Sequence, residues 1–355
     1  MGPGIAIAER LTQIDSEVEI AFLCSDRPVD RRMLQPDSWD FTPMPASVPS
    51  IRPIGAIRFA ISWSRTRRLA RRAIGTGPDV RVVSLGGFVA PPVVAAASSL
   101  GVPVDLLNLD VVAGRANRWV ARRATRVLTA VDTDLPRCGS PLGMPLRQAV
   151  QPIGSRTEAC RELGLDPRLR TLLVTGASQG ARTIDRFMSG FAKSHGGAFE
   201  GWQVLHLASE RSQAALVEDY ANAGVPHLVL PFLEKMGLAW SVADLAISRG
   251  GASSVAEIAC SRTPAIILPY PWHRDRHQAR NAEVLVDLGL AEIVDDPGDG
   301  PEAATRLAAR LRASLEDPEA LDRRRDDAGP STEDAALIIA RMILDPDSRP
   351  ATPSA

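Results

Sequence analysis

The chain has no surplus of charge of either sign. Its 41 lysines and arginines stand against 42 aspartates and glutamates, so no global field exists to recruit nucleic acid, and none is expected as a partner. Cysteine is scarce. Cys24, Cys138, Cys160 and Cys260 are scattered, with no CxxC spacing and no histidine cluster beside them, which argues against a disulfide framework or a zinc site. They read as buried thiols in a reducing compartment. No run reaches the roughly 18 apolar residues a spanning helix needs. The richest stretch, residues 88–104, is broken by Pro91, Pro92 and Pro103. No charged segment followed by an apolar core opens the chain, as it would in a secretory leader, so the cytoplasm is the expected compartment. Internal repeats and low-complexity tracts are missing, and no glycine-rich turn ends in the Gly-Lys-Ser/Thr of a Walker loop.

What is present is ordinary globular composition, 45% apolar and 23% charged, in 355 residues that are too many for one comfortable core. Short apolar runs alternate with longer amphipathic stretches, the pattern of βα units that build a parallel sheet. Strands are expected over residues 18–23, 80–84, 104–109, 127–130, 171–175, 203–207, 227–230, 245–248 and 265–268. Residues 136–167 lack long periodicity and are rich in Pro, Gly and Arg, which marks a junction between two α/β halves. The expected division is a domain over 1–145, a linker over 146–168, a second domain over 169–328, a closing helix over 329–345 and a frayed tail over 346–355. Doubly wound sheets bind ligands at the C-terminal ends of their strands, so two such domains are expected to face a central cleft.

Three blocks carry chemistry. In Ile247-Ser-Arg-Gly-Gly-Ala-Ser-Ser-Val-Ala-Glu257 a strand ends, two glycines follow and a helix starts near Ser253, which aims backbone N–H groups and a positive helix end at one spot suited to a diphosphate. Glu257, one turn in, suits a ribose diol; Ser254 to Glu257 equally fits a capping box in which the glutamate caps its own helix. The second block, Pro269-Tyr-Pro-Trp-His-Arg-Asp-Arg-His-Gln-Ala-Arg-Asn281, brings His277, Gln278 and Asn281 to the start of the next helix, where they suit sugar hydroxyls. The alternative is that Asp275 and Gln278 cap that helix and His277 is solvated. The third, Leu172-Leu-Val-Thr-Gly-Ala-Ser-Gln-Gly-Ala-Arg182, is a strand running into a glycine-rich turn and a helix, and a similar turn, Leu85-Gly-Gly-Phe88, follows a strand in the first half. Ahead of all of these lies a stretch in which Ile54, Ile57 and Ile61 share one helical face, followed by Arg65, Arg67, Arg68, Arg71 and Arg72. It suits an anionic bilayer surface, or a helix that buries its isoleucines in the core.

In order and spacing these blocks resemble the family 28 glycosyltransferases, above all the members that move GlcNAc from UDP-GlcNAc to a lipid-linked muramoyl-pentapeptide in peptidoglycan synthesis. The resemblance runs from about Pro3 to Asp295. It is strongest in Gly176-Ala-Ser-Gln-Gly-Ala-Arg182, Pro231-Phe-Leu-Glu-Lys-Met236, Ser248 to Glu257, and His277-Gln278 with Asn281-Ala282. Fainter echoes are Pro78-Asp79-Val80, Gly86-Gly87-Phe88, Gly114 with Asn117, and Gly143-Met-Pro-Leu-Arg147. It implies the GT-B fold, an α/β architecture of two Rossmann-like domains, and the step from lipid I to lipid II. By it Glu257 holds the uridine ribose, Ala252, Ser253 and Ser254 line the diphosphate, and Ser178 and Gln179 sit on the facing glycine-rich loop. Leu233 presents backbone to the uracil with Arg147 beside it, His277 and Gln278 contact the sugar, and Gly86, Gly87 and Asp110 lie on the acceptor side. No cofactor and no metal is implied, since helix ends and side chains neutralise the leaving diphosphate. The implied partners are UDP-GlcNAc, the lipid-linked acceptor and an anionic inner-membrane surface, with the protein peripheral on the cytoplasmic face of the cell membrane.

Two departures stand out. The family opens on a strand and a Gly-rich loop bearing the candidate base histidine, ahead of the segment matched by Pro3 to Glu9, so the catalytic base is unassigned and the natural start is expected upstream of Met1. Where the family shows a His-Glu-Gln-Asn run, this chain has Leu107-Asn-Leu-Asp110, and Asp110 accepts hydrogen bonds but cannot donate them when ionised. A UDP-sugar epimerase or hydrolase on the same scaffold, and a non-catalytic nucleotide-sugar-binding relative, are the competing readings.

Overall fold

A computed structural model describes residues 1–27, 30, 33–34, 39–49, 52–176, 181–271, 277–329 and 334–345. The chain divides into two compact units, residues 1–147 with 333–355, and residues 148–332.

The first unit opens on α1 (Gly2–Ile14), where Pro3 lies in the first turn, whose N–H groups have no intrahelical acceptor, so proline is well tolerated there. There follow β1 (Ala21–Ser25), β2 (Asp40–Met44), α2 (Pro53–Ala73), β3 (Val82–Ser84), α3 (Ala90–Ser99), β4 (Val104–Asn108), α4 (Arg115–Ala121) and β5 (Arg126–Thr129). Among the described residues the strands form two separate parallel sheets, β1-β2 and β3-β4-β5. A Cβ added at Gly4 would lie 2.7 Å from Leu85 and 3.4 Å from Phe22, so the start of α1 packs beside both sheets. Strand β2 escapes a reading of the sequence because it buries only Met44 and carries Pro43, a residue that edge strands alone tolerate well. Asp105 in β4 is fully buried and is held by Arg81 at 3.1 Å and Arg126 at 2.6 Å. A carboxylate so enclosed is tolerated only because it is paired. Arg126 also donates to the carbonyl of Met342 at 2.7 Å, which ties the last helix to this unit.

The second unit contains α5 (Arg156–Leu163), β6 (Arg170–Thr175), α6 (Arg182–His195), β7 (Trp202–Leu207), α7 (Glu210–Asn222), β8 (His227–Leu230), α8 (Met236–Val242) and β9 (Ala243–Ser248). It continues through α9 (Ala252–Ser261), β10 (Ala265–Ile267), α10 (His277–Asp287), β11 (Ala291–Ile293), α11 (Pro301–Glu316) and α12 (Pro318–Asp327). The final helix, α13 (Ala335–Leu344), packs on α1 in the first unit, with Asp334 capping its first turn and accepting from Arg10 at 2.7 Å. The six strands are all parallel, in the order β11-β10-β9-β6-β7-β8. Side chains alternate between the two faces of the sheet: Leu172, Val174, Leu245 and Ile247 enter one core and Leu173, Leu205, Ala246 and Ile267 the other. Each such leucine, isoleucine or valine side chain contributes on the order of 1.5–3 kcal/mol by burial, which is why helices must cover both faces. No helix among the described residues is long and apolar enough to cross a membrane.

The nine expected strands all form, displaced by three residues at most, while β2 and the three-residue β11 are additional. The thiols need a correction. Cys24 and Cys160 are buried, but Cys138 and Cys260 are only half-buried, because each lies in a partly covered segment at the margin of its core.

Candidate functional site

The chain passes from β6 outward to β8, then returns to the other side of β6 for β9 and continues to β11. That reversal makes the C-terminal ends of β6 and β9 the topological switch point of the second unit, the place where open α/β sheets bind ligands. A glycine-rich sequence follows each of these strands. The one after β9 is Gly250-Gly251, with Gly251 as the N-cap of α9 and Ala252, Ser253 and Ser254 in the first turn. No side chain caps that helix end, so its leading N–H groups remain available to an anion. Ser178 and Gln179, in the sequence after β6, lie outside the described residues.

Glu257 does not cap its own helix. The N-cap is three residues earlier than a Ser254–Glu257 capping box requires, and the chain forms a complete capping box elsewhere, at Ser155 and Glu158. The Glu257 carboxylate instead accepts from the indole N–H of Trp240 at 3.0 Å. Burial drives its pKa up to about 7, against the Trp240 hydrogen bond, which pulls the other way. Trp240 belongs to α8, which begins just after Leu233, and Leu233 packs into the same core as Trp240, Val255 and Ile258. Beside Leu233, Phe232 is 74% exposed.

The second block lies against the first. A Cβ on Gly250 would sit 2.2 Å from the carbonyl oxygen of Gln278, so only glycine lets the turn rest on the start of α10. The amide of Asn281 donates to the Gly250 carbonyl at 3.1 Å, and the Gln278 side chain accepts from the backbone N–H of Tyr270 at 2.9 Å. His277 is half-buried at the head of α10. Asp275 lies outside the described residues.

In the first unit a second strand-end cluster forms beyond β3 and β4. Gly86 and Gly87 adopt φ of +88° and +77°. A Cβ at Gly86 would lie 2.0 Å from the side-chain oxygen of Asn117, whose amide donates to buried Asn108 at 2.9 Å. Asn108 in turn donates to the carbonyl of exposed Asp110 at 2.6 Å. Arg147, also in this unit, is directed at Glu9 of α1, 3.5 Å away. Glu257, His277, Gln278, Leu233 and residues 252–254 thus belong to the second unit, while Gly86, Gly87, Asp110 and Arg147 belong to the first.

Sequence reasoning passed over Trp240, Asn108, Arg249, Thr183 and Asp296. Arg249 lay inside the quoted motif, and its place between a strand and two glycines was the signal that an arginine there would be enclosed. Nothing local marks Trp240, 17 positions from its partner.

The arrangement offers a helix end for a diphosphate, a carboxylate for a diol and polar groups beside them. Comparison with known proteins identifies the family. The glycosyltransferase family 28 N-terminal domain matches residues 1–129, and the glycosyltransferase family 28 C-terminal domain matches residues 171–342. A UDP-N-acetylglucosamine--N-acetylmuramyl-(pentapeptide) pyrophosphoryl-undecaprenol N-acetylglucosamine transferase of Mycolicibacterium paratuberculosis is 34% identical over 326 residues, 87% of this chain and 77% of that protein. A protein of the same name from Mycobacterium sp. strain JLS is 33% identical over 350 residues, 97% of this chain and 91% of its own length. The crystal structure of Acinetobacter baumannii MurG matches with a TM-score of 0.69 at 25% identity, over 96% of this chain and 94% of that one, so the architecture is that of the GT-B glycosyltransferases. With both of its domains matched and about a third of its residues shared with such relatives, the chain belongs to glycosyltransferase family 28.

Proposed function

We propose that this protein transfers GlcNAc from UDP-GlcNAc to a lipid-linked muramoyl-pentapeptide, the step that completes lipid II. The observation that carries the reading is the uncapped head of α9 with half-buried Glu257 one turn inside it, held by Trp240 rather than spent on its own helix. The N–H groups of residues 252–254 receive the diphosphate, and Glu257 accepts from the ribose diol. His277 and Gln278 contact the sugar, and Leu233 serves the uracil. Gly86, Gly87 and Asp110 line the acceptor side, where the Asn108–Asn117 pair shapes the turn. An acceptor hydroxyl gives its proton to a general base, its oxygen bonds to C1 of GlcNAc, and the bond from C1 to the diphosphate breaks. UDP leaves with the bonding pair, stabilised by the helix end.

The acceptor's lipid calls for contact with an anionic membrane. On α2, Ile54, Ile57 and Ile61 are 76%, 62% and 55% exposed, so they do not serve the core. Arg65, Arg67, Arg68, Arg71 and Arg72 follow on the same helix, and near an anionic surface each contributes about 1 kcal/mol. Trp63 meets Trp119 edge-on, and Arg123 lies 3.8 Å over the Trp119 ring, which extends the mixed aromatic and basic surface. This composition supports peripheral binding at the inner face of the membrane.

Incubation with UDP-GlcNAc and the lipid-linked acceptor should yield UDP and the lipid-linked disaccharide in equal amounts. Without acceptor the donor should persist. Conversion of UDP-GlcNAc alone to free sugar or to an epimer would overturn the transferase reading in favour of a hydrolase or epimerase.

A further inference from the structure

Arg249 separates β9 from the Gly250-Gly251 turn and is 5% exposed, an unusual burial for a permanently charged group. One of its terminal nitrogens forms an ion pair with Asp296 and donates to the carbonyl of Leu268 at 2.9 Å. The other donates to the hydroxyl of Thr183 at 2.8 Å. Thr183 donates in turn to Asp296 at 2.9 Å, which closes a triangle of three side chains. The second carboxylate oxygen of Asp296 accepts from the backbone N–H of Gly298 at 2.7 Å, so the fully buried acid is satisfied on both sides.

The triangle joins segments that are distant in sequence. Thr183 lies in the first turn of α6; Leu268 directly follows β10; and Asp296 lies in the connection from β11 to α11. Arg249 itself adjoins the turn whose N–H groups face the anion. A buried ion pair seldom adds net stability over apolar packing of the same volume, so stability alone gives little reason for this one. Its geometry does. Both terminal nitrogens of the guanidinium are taken up by protein, by Leu268, Asp296 and Thr183, with the Tyr270 ring centroid 5.6 Å away.

We propose that Arg249 and Asp296, with Thr183, are positioning residues that hold the Gly250-Gly251 turn in one fixed relation to the start of α6 and the end of β10, so that the head of α9 is preorganised for the donor diphosphate. They act through the backbone of residues 250–254 and do not touch the ligand. The inference rests on the donor-site reading above, and it assigns the diphosphate's affinity to a carboxylate 47 positions from the arginine it pairs with.

The test compares UDP with uridine. Asp296→Asn preserves shape and the acceptor for Gly298 but removes the charge that fixes Arg249. UDP affinity should fall about tenfold or more, as small misplacements of a preorganised site do. Uridine, held at Glu257, should bind as in the wild type. The KM for UDP-GlcNAc should rise and kcat should fall, and the thermal midpoint should also fall, because Arg249 keeps its buried charge without a counter-ion. Thr183→Val, a milder change that removes one side of the triangle, should show the same split at smaller size and serves if Asp296→Asn does not fold. Parallel loss of UDP and uridine binding, or wild-type affinity for UDP in both variants, would overturn the inference. A wild-type protein that binds neither ligand overturns the donor-site reading itself, and this inference with it.

Discussion

Replacing Glu257 by glutamine isolates one carboxylate's work. In the free protein this group titrates at about 7, so it is about 90% ionised at pH 8 and about 10% ionised at pH 6. If the carboxylate accepts from the ribose diol, the apparent dissociation constant scales with the inverse of the ionised fraction, and uridine should bind about tenfold more weakly at pH 6 than at pH 8. Uridine is the better probe here because it carries no phosphate that titrates in the same range. At pH 8 the glutamine variant loses charge-assisted hydrogen bonds of about 1.5–3 kcal/mol, a weakening of about 12- to 140-fold, and its pH profile should be flat. Stability behaves oppositely. A carboxyl whose pKa is raised on folding contributes stability that is present below its ordinary value and is lost as pH rises through about 7, so above pH 7 the buried charge is a net cost. Glutamine removes that cost and still accepts from Trp240, so the variant should melt no lower than the wild type at pH 8. A helix-capping role would instead cost roughly 0.5–2 kcal/mol of stability and spare the ligand. Calorimetric titration and thermal melts on the same two proteins decide the matter. Equal uridine affinity at pH 8, or a flat wild-type profile between pH 6 and 8, refutes the reasoning.

Gly86→Ala forces a Cβ to within 2.0 Å of Asn117 at φ +88°. It should cost about 1–3 kcal/mol and depress transfer to the acceptor while UDP titration of the other unit is unchanged. Vesicle co-sedimentation should show binding with anionic lipid that weakens with salt and falls when Arg67, Arg68, Arg71 and Arg72 become glutamine; equal binding by both proteins would remove the membrane proposal. In the second unit, His206 is buried between Asp185 at 3.3 Å and Tyr220 at 3.0 Å. Burial lowers its pKa despite Asp185, and hydrogen bonds from His206, Ser212 and Ser209 outweigh burial to hold Asp185 below its ordinary value. Both shifts favour the fold at neutral pH, so the thermal midpoint should drop as pH falls below 6.5, measured in Glu257→Gln to remove that group's opposite drift. His206→Gln should flatten the upper part of that slope, and an unchanged slope would refute the assignment.

Much of this protein is determined within short windows of sequence. The runs 171–175 and 203–207 become strands because the interior of a parallel sheet covered on both faces needs near-continuous burial, a property visible in five consecutive residues. The glycines at 86 and 250 announce close backbone approach in the same way, since no other residue type suits those positions. What a partner tens of residues away decides was not legible. Glu257 fits a capping box and a ribose site equally well until Trp240 arrives from α8 to take its second oxygen. The isoleucines of α2 have the spacing of a core face, and only the packing of the remaining elements, which cover Thr66 and Ala70 instead, leaves Ile54, Ile57 and Ile61 in solvent. Arg249, between a strand and two glycines, is in a place that suggests enclosure, but only the fold brings Asp296 and Thr183 around it. Burial and pairing are properties of three-dimensional neighbours, and electrostatic roles follow from burial and pairing; local pattern specifies where a backbone turns, while tertiary packing specifies which charges it encloses.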